Sequence, residues 1–195
     1  MQVLERPLVG DVLLTHIESV RDMLARIPVD AVESVVTTIV EAHRRRQHVY
    51  IVGNGGSAAT ATHFACDLSK ATIVHGRSRL RVTSLADNTA IMTAWANDTS
   101  YERVFAEQLD TLLNPGDAVI AISASGNSPN VLAAMETARV HGARTIAFVG
   151  FSGGALKSVV ECAIHVPSND YGVVEDCHLV LEHAITDGVR SALLA

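Results

Sequence analysis

The chain has 195 residues, 48% of them hydrophobic and only 4% aromatic, with 21 acids against 15 bases and a formal net charge of −6. That length and apolar content suffice for one full domain with a real core. The acidic balance excludes a basic field for nucleic acid, and no run of 18 apolar residues marks a membrane span.

Apolar positions at helical spacing (Val12, Leu13, Ile17, Val20, Leu24) predict a first helix over about Leu8 to Ile27, ended by Pro28. A second is expected from Val29 to Arg46, with Val32, Val35, Val36, Ile39 and Val40 on one face. The cationic run Arg44-Arg45-Arg46 falls at its end, where it complements the helix dipole. An α/β sheet needs no two helices before its first strand. Their apolar faces could pack within the chain or against a second subunit; the reading favours a helical N-terminal extension over residues 1–47 that packs at an oligomer interface. Acids near the N-terminus, where a signal peptide would be apolar, point to a cytoplasmic protein. Cys66, Cys162 and Cys177 are odd in number, lack CxxC spacing and read as reduced packing residues.

The segment VYIVGNGGSAATATHFACD, Val49 to Asp67, organises the rest. A short β-branched run reads as a buried parallel strand. It breaks at Gly53-Asn54-Gly55-Gly56-Ser57, and a small-residue helix follows from Ser57 or Ala58. Strand, glycine turn and helix start form an anion site, because free N–H groups and the positive end of the helix dipole face one point. Inside that helix His63 and Asp67 are four apart and share a face. A glycine turn with a satisfied histidine and a solvated aspartate is the plainer alternative.

A second strand is expected at Leu80 to Leu85, ending in Ala86-Asp87-Asn88, polar residues at the strand end where open α/β sheets place ligands. Ala96 to Ser100 reads as a turn and cap cluster before a helix through Phe105 and Leu109. The third strand, Ala118 to Ile122, runs into Ser123-Ala124-Ser125-Gly126-Asn127-Ser128, with Pro129 at the first turn of a helix over Asn130 to His141. A fourth strand spans Thr145 to Val149, a fifth Cys162 to Val166, then a loop Pro167 to Gly172 and a last helix from about Val173 to Leu193. The alternation predicts one five-stranded, mostly parallel sheet flanked by helices, with right-handed crossovers.

Both loops, GNGGS and SASGNS, follow a strand and open a helix. Serine hydroxyls and helix-start N–H groups suit a phosphate monoester. Neither loop is a GxxxxGK(S/T) nucleotide loop nor a GxGxxG dinucleotide loop, so a sugar phosphate fits best. The last helix carries Glu175, Asp176, His178, Glu182 and His183 among Leu179, Val180 and Leu181. Glu175 and His183, eight apart, fall within about 80° on a regular helix, with Glu182 close to Glu175 on the same side. A solvent-facing acidic stripe is the alternative there. Together His63, Asp67, Glu175 and His183 make a set for a divalent metal, zinc included, one per subunit, or equally an acid/base pair for moving a proton.

These residues resemble the sugar isomerase (SIS) domain family, specifically the phosphoheptose isomerases, over nearly the whole chain: VGNGGSA…HF, the Asp87 turn, AxxNDxxY…F, ISxSGNSxNV and the terminal histidine helix. The resemblance implies an aldose–ketose isomerase converting sedoheptulose 7-phosphate to a heptose 7-phosphate, and a homotetramer with active sites between subunits. It implies phosphate held by Ser123, Ser125 and Ser128 on the loop with Ala124, and the sugar near Asn54, Gly55, Gly56 and Ser57, with Asp87 and Asn88 also expected to bind substrate. In the family, residues matching His63, Asp67, Glu175 and His183 surround zinc; the second is a glutamate and the usual base, the third a glutamine, the fourth the usual acid. Here Asp67 is one methylene shorter, Glu175 adds a charge, Ala71 stands where an arginine is usual and Ala124 where threonine is frequent. The catalytic residues expected are thus Asp67 or Glu175 as base, with His183. An isomerase of another phosphosugar, and a binding-only SIS protein such as an adaptor for the replication initiator, are the alternative readings.

Overall fold

The computed structural model describes residues 8–195; the extension expected over residues 1–47 therefore begins outside the described residues. Two helices lead, α1 (Val9–Leu24) and α2 (Val29–Arg44). Then come β1 (His48–Gly53), α3 (Gly56–Lys70), β2 (Arg81–Ser84), α4 (Thr89–Asp98), a 3₁₀ turn (Tyr101–Arg103) and α5 (Ala106–Leu112). The second half alternates β3 (Ala118–Ser123), α6 (Pro129–Val140), β4 (Arg144–Val149), α7 (Leu156–Val159), β5 (Cys162–His165) and the 24-residue α8 (Tyr171–Leu194).

The five strands form one sheet in the order β2-β1-β3-β4-β5. Every pair is parallel, from His48 against Arg81 at one edge to Val149 against His165 at the other. The expectation was a mostly parallel sheet; the observed one is wholly so. Because the chain leaves β1 in one direction to make β2 and returns on the other side as β3, the order reverses between β1 and β3. That crevice, beyond the carboxyl ends of the strands, is where an open α/β sheet takes its ligand. The GNGGS loop follows β1 and the SASGNS loop follows β3, so topology brings the two loops together.

Strand residues alternate between two cores. Val49, Ile51, Ile120, Ile122, Ile146 and Phe148 face α2, α3 and α8. Tyr50, Val52, Val119, Ala121, Ala147 and Val149 face α5, α6 and α7. Period-two alternation of β-branched residues on a sheet covered on both faces explains the continuous apolar strands in the sequence.

The two leading helices are buried to different degrees. Helix α2 buries Val35, Ile39, Val40 and Ala42 against the sheet and α8. Gly188 of α8 permits that approach, since a Cβ there would lie 3.0 Å from the Val36 methyl. Helix α1 buries no residue. It leans on α8 through Val20, Met23 and Leu24 and through His16 Nε2, 2.6 Å from Asp176 Oδ2, while Leu8, Val9, Val12, Leu13, Leu14 and Ile17 stay exposed.

The last helix starts earlier than its apolar pattern suggests, at Tyr171, because the Asp170 side chain accepts a hydrogen bond from Val173 N at 3.2 Å and caps it. The expected loop over Pro167 to Gly172 therefore gives its last two residues to the helix.

Candidate active site

The SASGNS loop is shaped by its own hydroxyls. Ser123 Oγ accepts from Gly126 N at 3.2 Å and lies 3.4 Å from Ser128 Oγ, and Ser125 Oγ accepts from Asn127 N at 3.2 Å. Gly126 turns the loop at φ +65°, with its α-carbon against the backbone of Gly153 and Gly154, where no side chain fits. Neither α3 nor α6 has a side-chain hydrogen bond at its N-cap; with Pro129 lacking an N–H and Ala58, Ala59, Val131 and Leu132 bonded to the N-cap carbonyls, the N–H groups of Gly56, Ser57 and Asn130 are the ones left for an anion. The two loops enclose a cleft of about 170 Å³ lined by Asn54, Ser57, Ser123, Ala124, Ser125, Ser128, Tyr171 and Glu175.

Asn54 and Asn130 lock the cleft's two sides. Each amide donates to the other's carbonyl oxygen at 2.8 Å, and Tyr101 Oη donates to Asn54 Oδ1 at 3.0 Å. Asn130 is buried at the start of α6. In the sequence it falls within ISxSGNSxNV at the start of the predicted helix; the structure adds its contact with a loop asparagine across the switch point. Tyr101 is the tyrosine of AxxNDxxY, but its approach to Asn54, like that of Tyr171 to the cleft, depends on tertiary packing.

Asp87 and Asn88, expected to bind substrate, do not line this cleft. Asp87 Oδ1 accepts from Thr62 Oγ1 at 2.5 Å and borders a separate groove beside β2, with Cys66 and Ser69. Asn88 caps α4 by accepting from Ile91 N at 3.2 Å.

A second constellation lies where α3 meets α8. His183 Nε2 stands 3.3 Å from Glu182 Oε1 and 3.7 Å from Asp67 Oδ2. His63 Nδ1 is 3.3 Å from Glu182 Oε1, and its Nε2 is 3.7 Å from Asp67 Oδ2. The two imidazoles meet edge to face, centroids 5.0 Å apart. One ligand atom from each of His63, Asp67, Glu182 and His183 can be chosen so that all lie within 4.8 Å of one another. Glu182 is fully buried, and neither carboxylate oxygen has a hydrogen bond among the described residues. Burial, and then the charge of Asp67, pushes its pKa up to about 7. Two imidazoles and two carboxylates, one of them buried and unsatisfied, fit a first-row divalent cation.

The structure thus brings together His63, Asp67 and His183, three of the four expected metal ligands. Glu175 stands apart from them. It lies eight residues before His183, about 12 Å along a regular helix, and its carboxylate is not among the ligand atoms that lie within 4.8 Å of one another. Its carboxylate covers Gly56 at the start of α3, where an added Cβ would lie 2.6 Å from either oxygen. Glu182 occupies the vacated place in the group; its adjacency to His183 in the sequence was visible, but burial against α3 was not.

The SIS domain family model matches residues 15–150. The phosphoheptose isomerase of Geobacter sp. (strain M21) is 41% identical over 163 residues, 84% of each chain. That of Mycobacterium tuberculosis (strain CDC 1551 / Oshkosh) is 40% identical over 170 residues, 87% of this chain and 86% of the other. Among solved structures, phosphoheptose isomerase GmhA from Neisseria gonorrhoeae superposes with a TM-score of 0.86 at 27% identity, covering 94% of this chain and 97% of that one. The phosphoheptose isomerase from Francisella tularensis gives 0.87 at 26%, covering 94% and 96%. Two serine and glycine loops at the switch point, a histidine–carboxylate group beside them, and relatives matched over most of their length converge: the chain belongs to the phosphoheptose isomerase family of SIS-domain proteins, enzymes that isomerise sugar phosphates.

Proposed function

We propose that this chain interconverts sedoheptulose 7-phosphate and a D-glycero-heptose 7-phosphate through an enediol. The observation that carries the reading is the cleft itself, in which serine hydroxyls and helix-start N–H groups stand beside a free carboxylate, Glu175. Ser123, Ser125 and Ser128 hold the phosphate; Asn54 and Ser57 contact the sugar. Each hydrogen bond to a charged phosphate oxygen is worth about 1.5–3 kcal/mol.

Isomerisation moves one proton between two neighbouring carbons. A carboxylate takes it from the carbon beside the carbonyl, leaving an enediol, and returns it to the adjacent carbon. Of the two candidates, Glu175 fits the base, because it faces the cleft, while Asp67 faces two imidazoles. His183, half-exposed, moves the hydroxyl proton. His63, Asp67 and His183, with one more carboxylate, would hold a divalent cation, zinc by family resemblance; such an ion supplies Lewis-acid polarisation of substrate oxygens.

The protein acts as a homo-oligomer, a tetramer by the same resemblance, with the exposed apolar row of α1 as the contact that favours self-association. No helix among the described residues is long and apolar enough to cross a membrane, in keeping with a cytoplasmic site of action.

Proton exchange tests the proposal. The chain is incubated with sedoheptulose 7-phosphate in deuterated water, and the carbon-bound protons beside the carbonyl are followed by NMR. Enzyme-dependent deuterium incorporation with a growing aldose signal is expected. No exchange in the metal-supplied protein would reject this substrate and turn attention to other phosphosugars or to binding without turnover.

A further inference from the structure

The geometry points to Tyr171 as the residue that reads the hydroxylated chain of the sugar in the serine-lined cleft, with Phe151 as the positioning residue that braces its ring. The inference deepens the proposed function and rests on it for a sugar phosphate as the substrate.

Three observations carry it. The first is placement. Tyr171 opens α8 four residues before Glu175, so the two share a helix face, and both line the cleft. The serines take the phosphate and Glu175 the proton, so the hydroxyls between need contacts of their own. The second is which polar groups are free. Asn54 Oδ1 already accepts from Asn130 and from Tyr101, and its amide donates to Asn130, which leaves it one N–H. Of the three tyrosines, Tyr50 donates to Leu112 O at 3.1 Å and Tyr101 to Asn54. The Tyr171 phenol, on an exposed side chain, has no partner among the described residues.

The third is support. Phe151 adopts φ +49°, a conformation that bulky residues seldom take. Its N–H donates to Ser168 O at 2.9 Å, and its carbonyl accepts from His165 Nε2 at 2.9 Å. Lys157 Nζ donates to His165 Nδ1 at 3.0 Å. An ammonium only donates and a carbonyl only accepts, so these partners hold the imidazole neutral with its proton on Nε2. Gly150, just before, donates to Ala124 O of the serine loop at 2.8 Å, and its α-carbon packs so close to Val174 of α8 that an added Cβ would lie 2.6 Å from a methyl. The turn after β4 is thus fastened to both walls of the cleft. Its strained residue presents a ring that meets Tyr171 edge to face, centroids 4.8 Å apart. Backbone strain survives where the surroundings over-determine it, and it gathers at ligand clamps. Glycine would take this φ without cost; phenylalanine adds the ring that steadies Tyr171. A phenol both donates and accepts and carries no charge, which suits a sugar hydroxyl better than a phosphate oxygen.

The test separates sugar from phosphate. Proton exchange on sedoheptulose 7-phosphate gives KM and kcat for the wild type, Tyr171→Phe and Phe151→Gly, and inorganic phosphate is titrated as a competitive inhibitor of each. Tyr171→Phe keeps the ring and loses the hydroxyl. Its KM is expected to rise about two- to tenfold, the worth of one neutral hydrogen bond, while the inhibition constant of inorganic phosphate holds. Phe151→Gly suits the backbone and should keep its melting temperature within a few degrees, yet it should raise KM in the same direction because Tyr171 loses its brace. A loss of fit alone would move the melting temperature and leave that split between sugar and phosphate unseen. An unchanged KM in Tyr171→Phe would overturn the assignment, and so would an equal weakening of inorganic phosphate, which puts the phenol on the phosphate. A wild-type KM in Phe151→Gly would remove Phe151 from the device. A wild type that exchanges no proton rejects the substrate and this inference with it; exchange that Tyr171→Phe matches in full rejects this inference alone.

Discussion

Glu175 and Glu182 sit seven residues apart on the same side of α8, two turns and about 10 Å along the axis, yet they serve different chemistry. Glu175 reaches over Gly56 into the serine-lined cleft; Glu182 is sealed between α3 and α8 against two imidazoles. One rigid helix thereby fixes the distance between the substrate's carboxylate partner and the histidine–carboxylate group.

If Glu175 is the base, Glu175→Gln removes the proton acceptor while keeping shape and hydrogen-bonding reach. General base catalysis contributes about 10²–10⁴-fold, so kcat should fall by that order. Sugar-phosphate affinity, measured by calorimetry, should hold or improve, because a negative charge leaves the anion's neighbourhood. A variant with kcat within threefold of wild type would transfer the role to Asp67.

Ser125→Ala tests the phosphate loop. The hydroxyl lines the cleft and accepts from Asn127 N, so its loss removes a phosphate donor and loosens the loop slightly. A rise in KM of about 10- to 100-fold is expected, following the 1.5–3 kcal/mol of a charge-assisted bond, with kcat little changed. A drop confined to kcat would place the phosphate elsewhere.

Two glycines of the same cleft should behave differently. At Gly56 a Cβ meets only the far end of Glu175, which can swing away. Gly56→Ala should therefore keep its melting temperature within a few degrees and lose turnover. At Gly126 the added carbon meets the backbone of Gly153 and Gly154, and φ is +65°, so nothing can yield cheaply. Gly126→Ala should be strongly destabilised, read as a fall in melting temperature before any kinetics.

The loops were legible in the sequence because glycine and serine after a β-branched run have few other uses, and the strand order then follows from parallel-sheet topology. His63, Asp67 and His183 were legible as helix-face pairs. Glu182 was seen but left out of the ligand set: periodicity places a residue on a helix face and says nothing about which neighbour that face meets, and here α3 covers residue 182 while residue 175 projects past the start of α3. Asn130 and Tyr101 meet Asn54 across separations of 76 and 47 residues, contacts that no local pattern encodes. Asp87 and Asn88 were legible as a polar pair at a strand end; the Thr62 bond to the one and the helix cap made by the other were not.

His178 gives the pH prediction. It is buried one turn before Glu182, with its ring beside Phe148 and neither ring nitrogen in hydrogen-bond geometry with a partner among the described residues. Burial lowers its pKa to about 4, an interaction with the Val149 carbonyl offsetting this only in part. The unfolded chain protonates this histidine near its ordinary value of 6.5, the folded chain only near 4. Between those values the unfolded state holds more protons, so stability rises with pH through the window: the contribution is complete above about 6.5 and is lost as pH falls toward 4. The difference is about 3 kcal/mol. Glu182 acts in the opposite sense, since its raised pKa costs stability as pH rises from 4.5 toward 7, so the readout is the difference between wild type and His178→Leu in denaturant titrations at pH 7.5 and pH 4.5. The leucine variant should lack the acid-side loss that His178 confers and gain on the wild type by about 2–3 kcal/mol at the lower pH. Parallel stability curves would mean that His178 is protonated in the fold, or that the buried ring opens to water before it titrates.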